Sequence, residues 1–385
     1  MPFEPAQVAL LYVCGITPYD STHLGHARTY LTHDLIARRL VDLGHEVRMV
    51  RNVTDVDDSI LPKARELGVD FRDLARQEMA RFHADMKALD ELPLYAEPWA
   101  TGSIEPMVEL LEQLRAGGHT YTVEGTTWFD VSTFDRFGQF SGLSEAELIE
   151  LARERGGTPD DVRQRHPLDF ALWLPSADDE PSWESTVGVG RPGWHLECSA
   201  MSFAALGAPL DLHGGGDDLV FPHHECEIAQ SEAIGAAPFA KHWTHGGMVG
   251  YQGTKMSKSL GNLVFVSDLR RTGDTRAIRL ALMPHPYREA FDWLDHEFDD
   301  AMDVLDGLVA AVGGAPPHDG PLIAEVRDAL DDDLDTVAVF DTLVQGARRI
   351  NANSPGAPRP ADLAAALNLV GVDPHRVVHR HPDSV

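Results

Sequence analysis

Two histidines, two lysines and four dispersed thiol, imidazole and carboxylate groups are the side chains here whose spacing suits chemistry. An apolar run ending in Val13 leads through Cys14 and a Gly/Pro-containing loop to His23-Leu24-Gly25-His26, where a long helical pattern begins. Strand, loop and helix N-terminus in that order make a phosphate site. Ligands of open α/β sheets sit beyond the carboxyl ends of the strands, and the first N–H groups of a helix point outward unpaired. Gly25 would admit a flat base against the backbone, and His23 and His26 could donate hydrogen bonds to phosphate oxygens as charge develops there. The ordinary alternative is a pair of capping histidines. Far downstream, Lys255 and Lys258 stand in the polar loop Lys255-Met256-Ser257-Lys258-Ser259. Two ammonium groups there suit the α- and β-phosphates of ATP, and a solvated basic loop is a poor explanation in a chain with 5 lysines against 27 arginines. Together the two motifs suit a reacting ATP, with Mg2+.

Cys14, Cys198, His223 and Glu227 form the second set. His223 and Glu227 are four residues apart, which on a helix places both on one face. Two thiolates, an imidazole and a carboxylate make a tetrahedral zinc site of borderline-soft ligands. Either cysteine alone would read as a small buried hydrophobe. What makes the set specific is Cys14, which lies in the same loop as the histidine motif. Zinc has a use at that place. Serine and cysteine differ by one atom, shape alone separates such a pair by only a few kcal/mol, and zinc binds a thiolate. The substrate is therefore read as L-cysteine.

The elements that must position these groups follow from the pattern. Residues 8–13 and 46–50 read as strands around a helix over 22–43, a first βαβ unit. Asn52 and Thr54 then stand at a strand's carboxyl end, beside the presumptive pocket. Helices are expected over 70–92 and 103–116, and residues 120–181 break into short strands with a polar helix over 144–155 and a loop over 154–159. Residues 193–205 begin a second half, and Gly214-Gly215-Gly216-Asp217-Asp218 reads as a turn tight enough for backbone amides to meet a ligand. From Glu289 the chain is mostly helical, with a break over 351–358 and a frayed tail from Asp373. The expected division is 1–100, first half of a nucleotide-binding catalytic domain; 101–185, a connective insertion; 186–275, the second half with the lysine loop; and 276–385, a C-terminal helical domain. The fold class is α/β.

Composition narrows the partners. With 43% hydrophobic and 24% charged residues the chain reads as soluble and globular. It has no run near the roughly 20 apolar residues a membrane span needs. The N-terminus lacks a basic region and a cleavage site, so a cytoplasmic protein is expected, and three cysteines make no disulfide framework. A net charge of −29 opposes broad attraction to nucleic acid, which depends on Lys and Arg neutralising phosphates.

Several of these segments resemble a known family. His23-Leu24-Gly25-His26 and Lys255 to Ser259 resemble the HIGH and KMSKS signatures of class I aminoacyl-tRNA synthetases, with Leu24 for the usual Ile. Together with Cys14 to Asp20, Asn52 to Asp58, Gly193 to Ala200 and Phe221 to Glu225, in order across residues 8–345, they resemble the cysteine-activating branch. That branch holds the cysteinyl-tRNA synthetases and the mycothiol-pathway ligase, which joins cysteine to glucosaminyl-inositol. The chain looks most like the ligase in Cys14-Gly15-Ile16-Thr17-Pro18-Tyr19-Asp20, in Thr22 to His26, in residues 255–268 and in 154–159, which is similar to an ERGGDP loop with Thr158 replacing Asp. It also ends where a synthetase would continue into an anticodon-recognising region. Glu227, Arg28 and residues 167–170 are synthetase-like, and Asp217 departs from the Ser usual in both.

The resemblance implies a class I Rossmann-type parallel sheet with a connective insertion and a C-terminal helical bundle. It further implies that His23, His26, Lys255 and Lys258 stabilise charge on the α-phosphate during attack by the cysteine carboxylate. Cys14, Gly15, Ile16, Thr17, Thr29, Asn52, Val53, Thr54, Trp194, Gly216, Asp217, Asp218 and Val249 would hold the cysteinyl-adenylate. Cys14, Cys198 and His223 would ligate Zn2+, with Glu227 as fourth ligand or outer partner. The amine of 1D-myo-inositol 2-amino-2-deoxy-glucopyranoside would then take the cysteinyl group, releasing AMP. Transfer to tRNA, or to another amine or carrier, is the alternative. The expected partners are small molecules (L-cysteine, ATP and the amino-sugar inositol), with tRNA less expected and a monomeric state. A catalytically silent cysteine sensor or a zinc-dependent regulator that kept the fold is the reading from another class, and two intact ATP motifs speak against it.

Overall fold

The structure is a computed structural model that describes residues 3–19, 22–256 and 261–377. In chain order its elements are β1 (Val8–Ile16), α1 (Leu24–Asp42), β2 (Glu46–Val53), α2 (Ile60–Leu67), α3 (Phe71–Ala88), α4 (Ile104–Ala116), β3 (Thr120–Val123), β4 (Thr126–Phe129), α5 (Glu145–Glu154), β5 (Phe170–Leu174), β6 (Arg191–Pro192), α6 (Trp194–Leu206), β7 (Leu210–Gly216), α7 (Glu225–Ala233) and β8 (Ala240–Gly246). There follow β9 (Val249–Tyr251), β10 (Thr254–Lys255), α8 (Val266–Thr272), α9 (Arg276–Leu282), β11 (Phe291–Trp293), α10 (Glu297–Val312), α11 (Pro321–Asp331), α12 (Thr336–Asn351) and α13 (Pro360–Leu369). The chain makes two compact units: Met1–Tyr19, Arg48–Glu78 and Leu94–His245 form the first; Asp20–Val47, Met79–Pro93 and Gly246–Val385 form the second. Among the described residues no helix is long and apolar enough to cross a membrane.

In the first unit β1 is an apolar run, Val-Ala-Leu-Leu-Tyr-Val-Cys, and such a run survives only where a strand is covered on both faces. It lies inside a four-stranded sheet ordered β2-β1-β7-β8. β1 and β7 are parallel, with Tyr12 opposite His213 and Val13 opposite Gly214. Residues 120–192 make a separate antiparallel sheet, β3-β4-β5-β6. Phe129, Phe170, Leu172 and Trp173 of that sheet share one buried core with Leu196 and Met201 of α6.

The second unit holds the three-stranded sheet β10-β9-β11 and the helices of the C-terminal part. Its buried anchor is Asp34 on α1, which accepts from the guanidinium groups of Arg38 and Arg279 and from the Leu92 N–H. Burial alone would raise this carboxyl, but Arg279, Arg38 and the Leu92 N–H together hold it below the usual carboxylate range.

Three local expectations are corrected. β1 continues through Cys14 to Ile16, so Cys14 sits within a strand and not in a loop. The reason is Gly15, where an added Cβ would meet the Asn52 carbonyl oxygen at 1.6 Å; without one, the strand lies flush against β2. Gly214 to Gly216 finish β7, and the turn begins only with the 3-10 segment Asp217–Leu219. A Cβ on Gly215 would lie 2.6 Å from Leu219, so this glycine serves close packing. α3 ends at Ala88, four residues before the expected 92, where Asp90 takes a left-handed φ of 59°.

Candidate active and metal site

In the first unit, β1 presents Cys14, α6 presents Cys198, and the kinked segment before α7 presents His223 ahead of Glu227. The ligand atoms of these four buried residues lie within 4.8 Å of one another. Cys14, His213, His224 and Glu227 meet the same limit, so the two sets share Cys14 and Glu227. Burial pushes the Cys14 thiol well above its ordinary value, with Cys198 and Glu227 adding to it, and burial likewise raises Cys198. Burial also holds His223 well below the usual imidazole range, with His195 and His213 reinforcing it. Among the described residues, His223 Nε2 and Glu227 Oε1 are buried with no hydrogen-bond partner. Buried polar atoms are costly unless satisfied. Here soft and borderline donors converge on one point with unmet bonding capacity, the chemistry a Zn2+ ion would complete. The set with Cys198 suits it better, because His213 is already engaged at both ring nitrogens.

Around this cluster the structure gathers more of the residues expected from sequence. Trp194 begins α6 with its ring centroid 4.2 Å from that of His223. Asn52 Oδ1 accepts from Gly15 N–H at 2.7 Å while its Nδ2 donates to Thr54 Oγ1 at 3.1 Å. Thr54 N–H donates to the Ile16 carbonyl at 3.0 Å, and Thr17 donates to Asp57 Oδ2 at 3.3 Å. Val53 is the last residue of β2, Gly216 the last of β7, and Asp217 and Asp218 follow in the 3-10 segment.

In the second unit, His23 is the N-cap of α1, and its Nδ1 accepts from Gly25 N–H at 3.1 Å. A Cβ on Gly25 would lie 2.9 Å from the His23 ring, so this glycine lets the cap fold back. The His23 and His26 rings stack with centroids 3.8 Å apart. Thr29 Oγ1 donates to the Gly25 carbonyl at 3.2 Å. Lys255 closes β10 opposite Gly250 of β9, and Met256 N–H donates to the carbonyl of Val249 at 3.3 Å. Lys258 lies outside the described residues.

Sequence reading missed His213 and His195. His213 Nδ1 sits 2.9 Å from the Tyr12 carbonyl and its Nε2 sits 2.8 Å from Glu227 Oε2. His195 Nδ1 lies 2.9 Å from His223 Nδ1, and burial pulls its pKa down to about 3. His195 could have been found from its place three residues before Cys198. His213 carries no such local mark.

Comparison with known proteins follows this geometry. Residues 2–303 match the family described as tRNA synthetases class I (C) catalytic domain. A protein of Streptosporangium roseum named L-cysteine:1D-myo-inositol 2-amino-2-deoxy-alpha-D-glucopyranoside ligase is 47% identical over 362 residues, covering 93% of this chain and 89% of its own length. A protein of the same name from Streptomyces coelicolor is 48% identical over 342 residues, 88% of this chain and 83% of its own. Among solved structures, Mycobacterium tuberculosis methionyl-tRNA synthetase in complex with methionyl-adenylate superposes with a TM-score of 0.68 at 17% identity, covering 96% of this chain and 92% of that one. Thermus thermophilus arginyl-tRNA synthetase gives 0.58 at 16% identity, covering 98% and 84%. At such identities the structures speak for the fold alone.

Proposed function

Because the chain belongs to the tRNA synthetase class I (C) catalytic family, we propose that it is an ATP-dependent ligase that adenylates L-cysteine and passes the cysteinyl group to the amine of 1D-myo-inositol 2-amino-2-deoxy-α-D-glucopyranoside. One observation carries the acceptor: relatives of that name match at 47% and 48% identity over 89% and 83% of their own length. Mycothiol biosynthesis is then the process served. A cytoplasmic, monomeric protein divided at 1–100, 101–185, 186–275 and 276–385 belongs to the same proposal.

Cys14, Cys198 and His223, with Glu227 as the fourth group, are the residues that would hold zinc. When bound, zinc supplies a Lewis acid that selects a thiolate substrate over an alcohol. The remaining steps are polar. A carboxylate oxygen of cysteine forms a bond to the α-phosphorus of ATP, and pyrophosphate leaves with the electron pair of the broken P–O bond. His23, His26, Lys255 and Lys258 are assigned to the phosphate charge, and Asn52, Thr54 and Trp194 to the cysteinyl moiety. Gly15 to Thr17, Thr29, Val53, Gly216 to Asp218 and Val249 complete the set assigned to the cysteinyl-adenylate. The neutral amine of the sugar then forms a C–N bond to the acyl carbon, AMP leaves, and a proton is lost from nitrogen. Positioning and charge stabilisation suffice, with no covalent enzyme intermediate.

The test supplies the protein with cysteine, ATP and magnesium, then offers the amino sugar or unmodified cysteine tRNA in separate reactions while AMP and product mass are followed. An amide formed only with the amino sugar supports the proposal. Charged tRNA alone would replace it with a synthetase, and AMP release with neither acceptor would move the search to another amine or carrier.

A further inference from the structure

The Glu154-Arg155-Gly156-Gly157 run has no part in the chemistry above, yet Arg155, Gly156 and Gly157 each have a structural reason. α5 begins with a capping box made by Ser144 and Glu147 and has Arg155 as its C-cap. Gly156 takes φ +88°, and Gly157 N–H donates to the Ala152 carbonyl at 2.7 Å. That is the six-to-one bond of a helix terminated by a left-handed residue. A Cβ on Gly157 would lie 2.9 Å from the same carbonyl oxygen. Two glycines therefore stop the helix within one residue and fix where Arg155 points.

Arg155 Nη1 donates to two carbonyls, Asp218 at 2.8 Å and Phe221 at 2.5 Å. Both belong to the segment leading into α7, where Phe221 breaks the helical path with φ −138° and ψ 137°. Such a break removes carbonyls from the helical ladder, and a guanidinium supplies them with donors. His223 follows two residues later. On the other side of that histidine, the Glu225 carboxylate accepts from Gly138 N–H at 2.8 Å and Ser141 N–H at 2.9 Å. Residues of the inserted region thus grip the histidine-bearing segment from both flanks.

We propose that Arg155 is a positioning residue that sets His223, and through it the geometry of the Cys14, Cys198, His223 and Glu227 cluster. This rests on the zinc reading of that cluster. Among the described residues Arg155 donates to the carbonyls of Asp218 and Phe221 and to no side chain of the cluster. It acts through the backbone of 218–221, so its loss loosens a ligand without removing one.

The experiment compares the zinc-loaded parent with Arg155→Met, Arg155→Lys and Arg153→Ala. Among the described residues Arg153 makes only exposed ion pairs, with Glu150 and Asp160, and it controls for general loosening of the loop. Zinc release to a chromophoric chelator is timed, and thermal melting and the KM values for cysteine and ATP in pyrophosphate exchange are measured beside it. Arg155→Met is expected to release zinc roughly 10–100-fold faster and to raise KM for cysteine. Arg155→Lys should fall between Met and parent, and Arg153→Ala should match the parent. A folded Arg155→Met with release within about twofold of the parent overturns the inference and leaves the zinc reading standing. If Arg155→Met does not fold, unchanged release from Arg155→Lys overturns it. A parent that binds no zinc at all removes the zinc reading first and the inference with it.

Discussion

His213 is held at both ring nitrogens, 2.9 Å from the Tyr12 carbonyl and 2.8 Å from Glu227 Oε2. The carbonyl can only accept, so Nδ1 carries a proton, and a second proton, on Nε2 or on the Glu227 carboxyl, makes the other contact a hydrogen bond that orients the carboxyl group. A partner of that kind governs a ligand's direction and basicity. His213→Phe keeps the aromatic packing and removes both polar contacts. It is expected to weaken zinc binding roughly 10–100-fold in a chelator competition, with near-ultraviolet circular dichroism preserved. Gly15 offers a steric counterpart. Its added Cβ would fall 1.6 Å from the Asn52 oxygen, so Gly15→Ala must part β1 from β2 next to Cys14. A destabilisation of about 1–3 kcal/mol is expected, as for other overpacked interiors, read as a lower urea midpoint at unchanged slope.

Arg28 shows what α1 is tied to beyond its histidines. Its Nη2 donates to the carbonyls of Pro286 and Glu289, and its guanidinium lies 4.6 Å from the Phe291 ring centroid. Phe291 opens β11, which pairs with β9 at Val249, and β9 pairs with β10 at Lys255. One side chain therefore fastens the helix of His23 and His26 to the sheet that ends at the first lysine of the second motif. Burial lowers its pKa to about 10, which leaves it cationic at neutral pH. Arg28→Met is expected to cost about 1–3 kcal/mol per carbonyl left unsatisfied and to raise KM for ATP while zinc release stays at the parental rate. The same elements mark how far the sequence could be read. The capping position of His23 and the helix over α1 were legible because residue type and short spacing carry them, whereas in the Cys14, Cys198, His223 and Glu227 grouping spacing joins only His223 to Glu227 and the cysteines are marked by residue type alone. The glycines of 214–216 were misplaced in a turn, since glycine marks tight turns and close approach alike and only the neighbouring chain decides. His213 was invisible because its meaning comes from register with Tyr12, 201 residues away.

Charge is a property of the whole molecule. With 61 acidic and 32 basic residues, the arginines have carboxylates at hand. Arg39 pairs with Asp331 at 2.7 Å, Arg327 with Asp42 at 2.6 Å and Arg65 with Asp179 at 2.7 Å. Most of these pairs are exposed and worth little, whereas Asp34 with Arg279 is buried. Because the Asp34 carboxyl is held below its ordinary value, the unfolded chain takes up its proton first as pH falls. Its contribution is therefore complete at pH 7 and is lost only below the usual carboxylate range. Asp34→Asn leaves Arg279 buried and unpaired, and a loss of about 3–5 kcal/mol is expected at pH 7, shrinking as denaturation is repeated at progressively lower pH. The surface charge bears on the acceptor. A protein that binds RNA through phosphates releases counterions, and its affinity falls steeply as salt rises. A net charge of −29, with arginines already paired to carboxylates, leaves little to drive that release. KM for the amino sugar should therefore stay nearly constant between about 50 and about 300 mM salt, a range over which several phosphate contacts would cost orders of magnitude. Retention of labelled tRNA should be at background even at the low end. Tight tRNA binding at low salt that collapses at high salt would show a local basic groove overriding the net charge, and would return the acceptor to RNA.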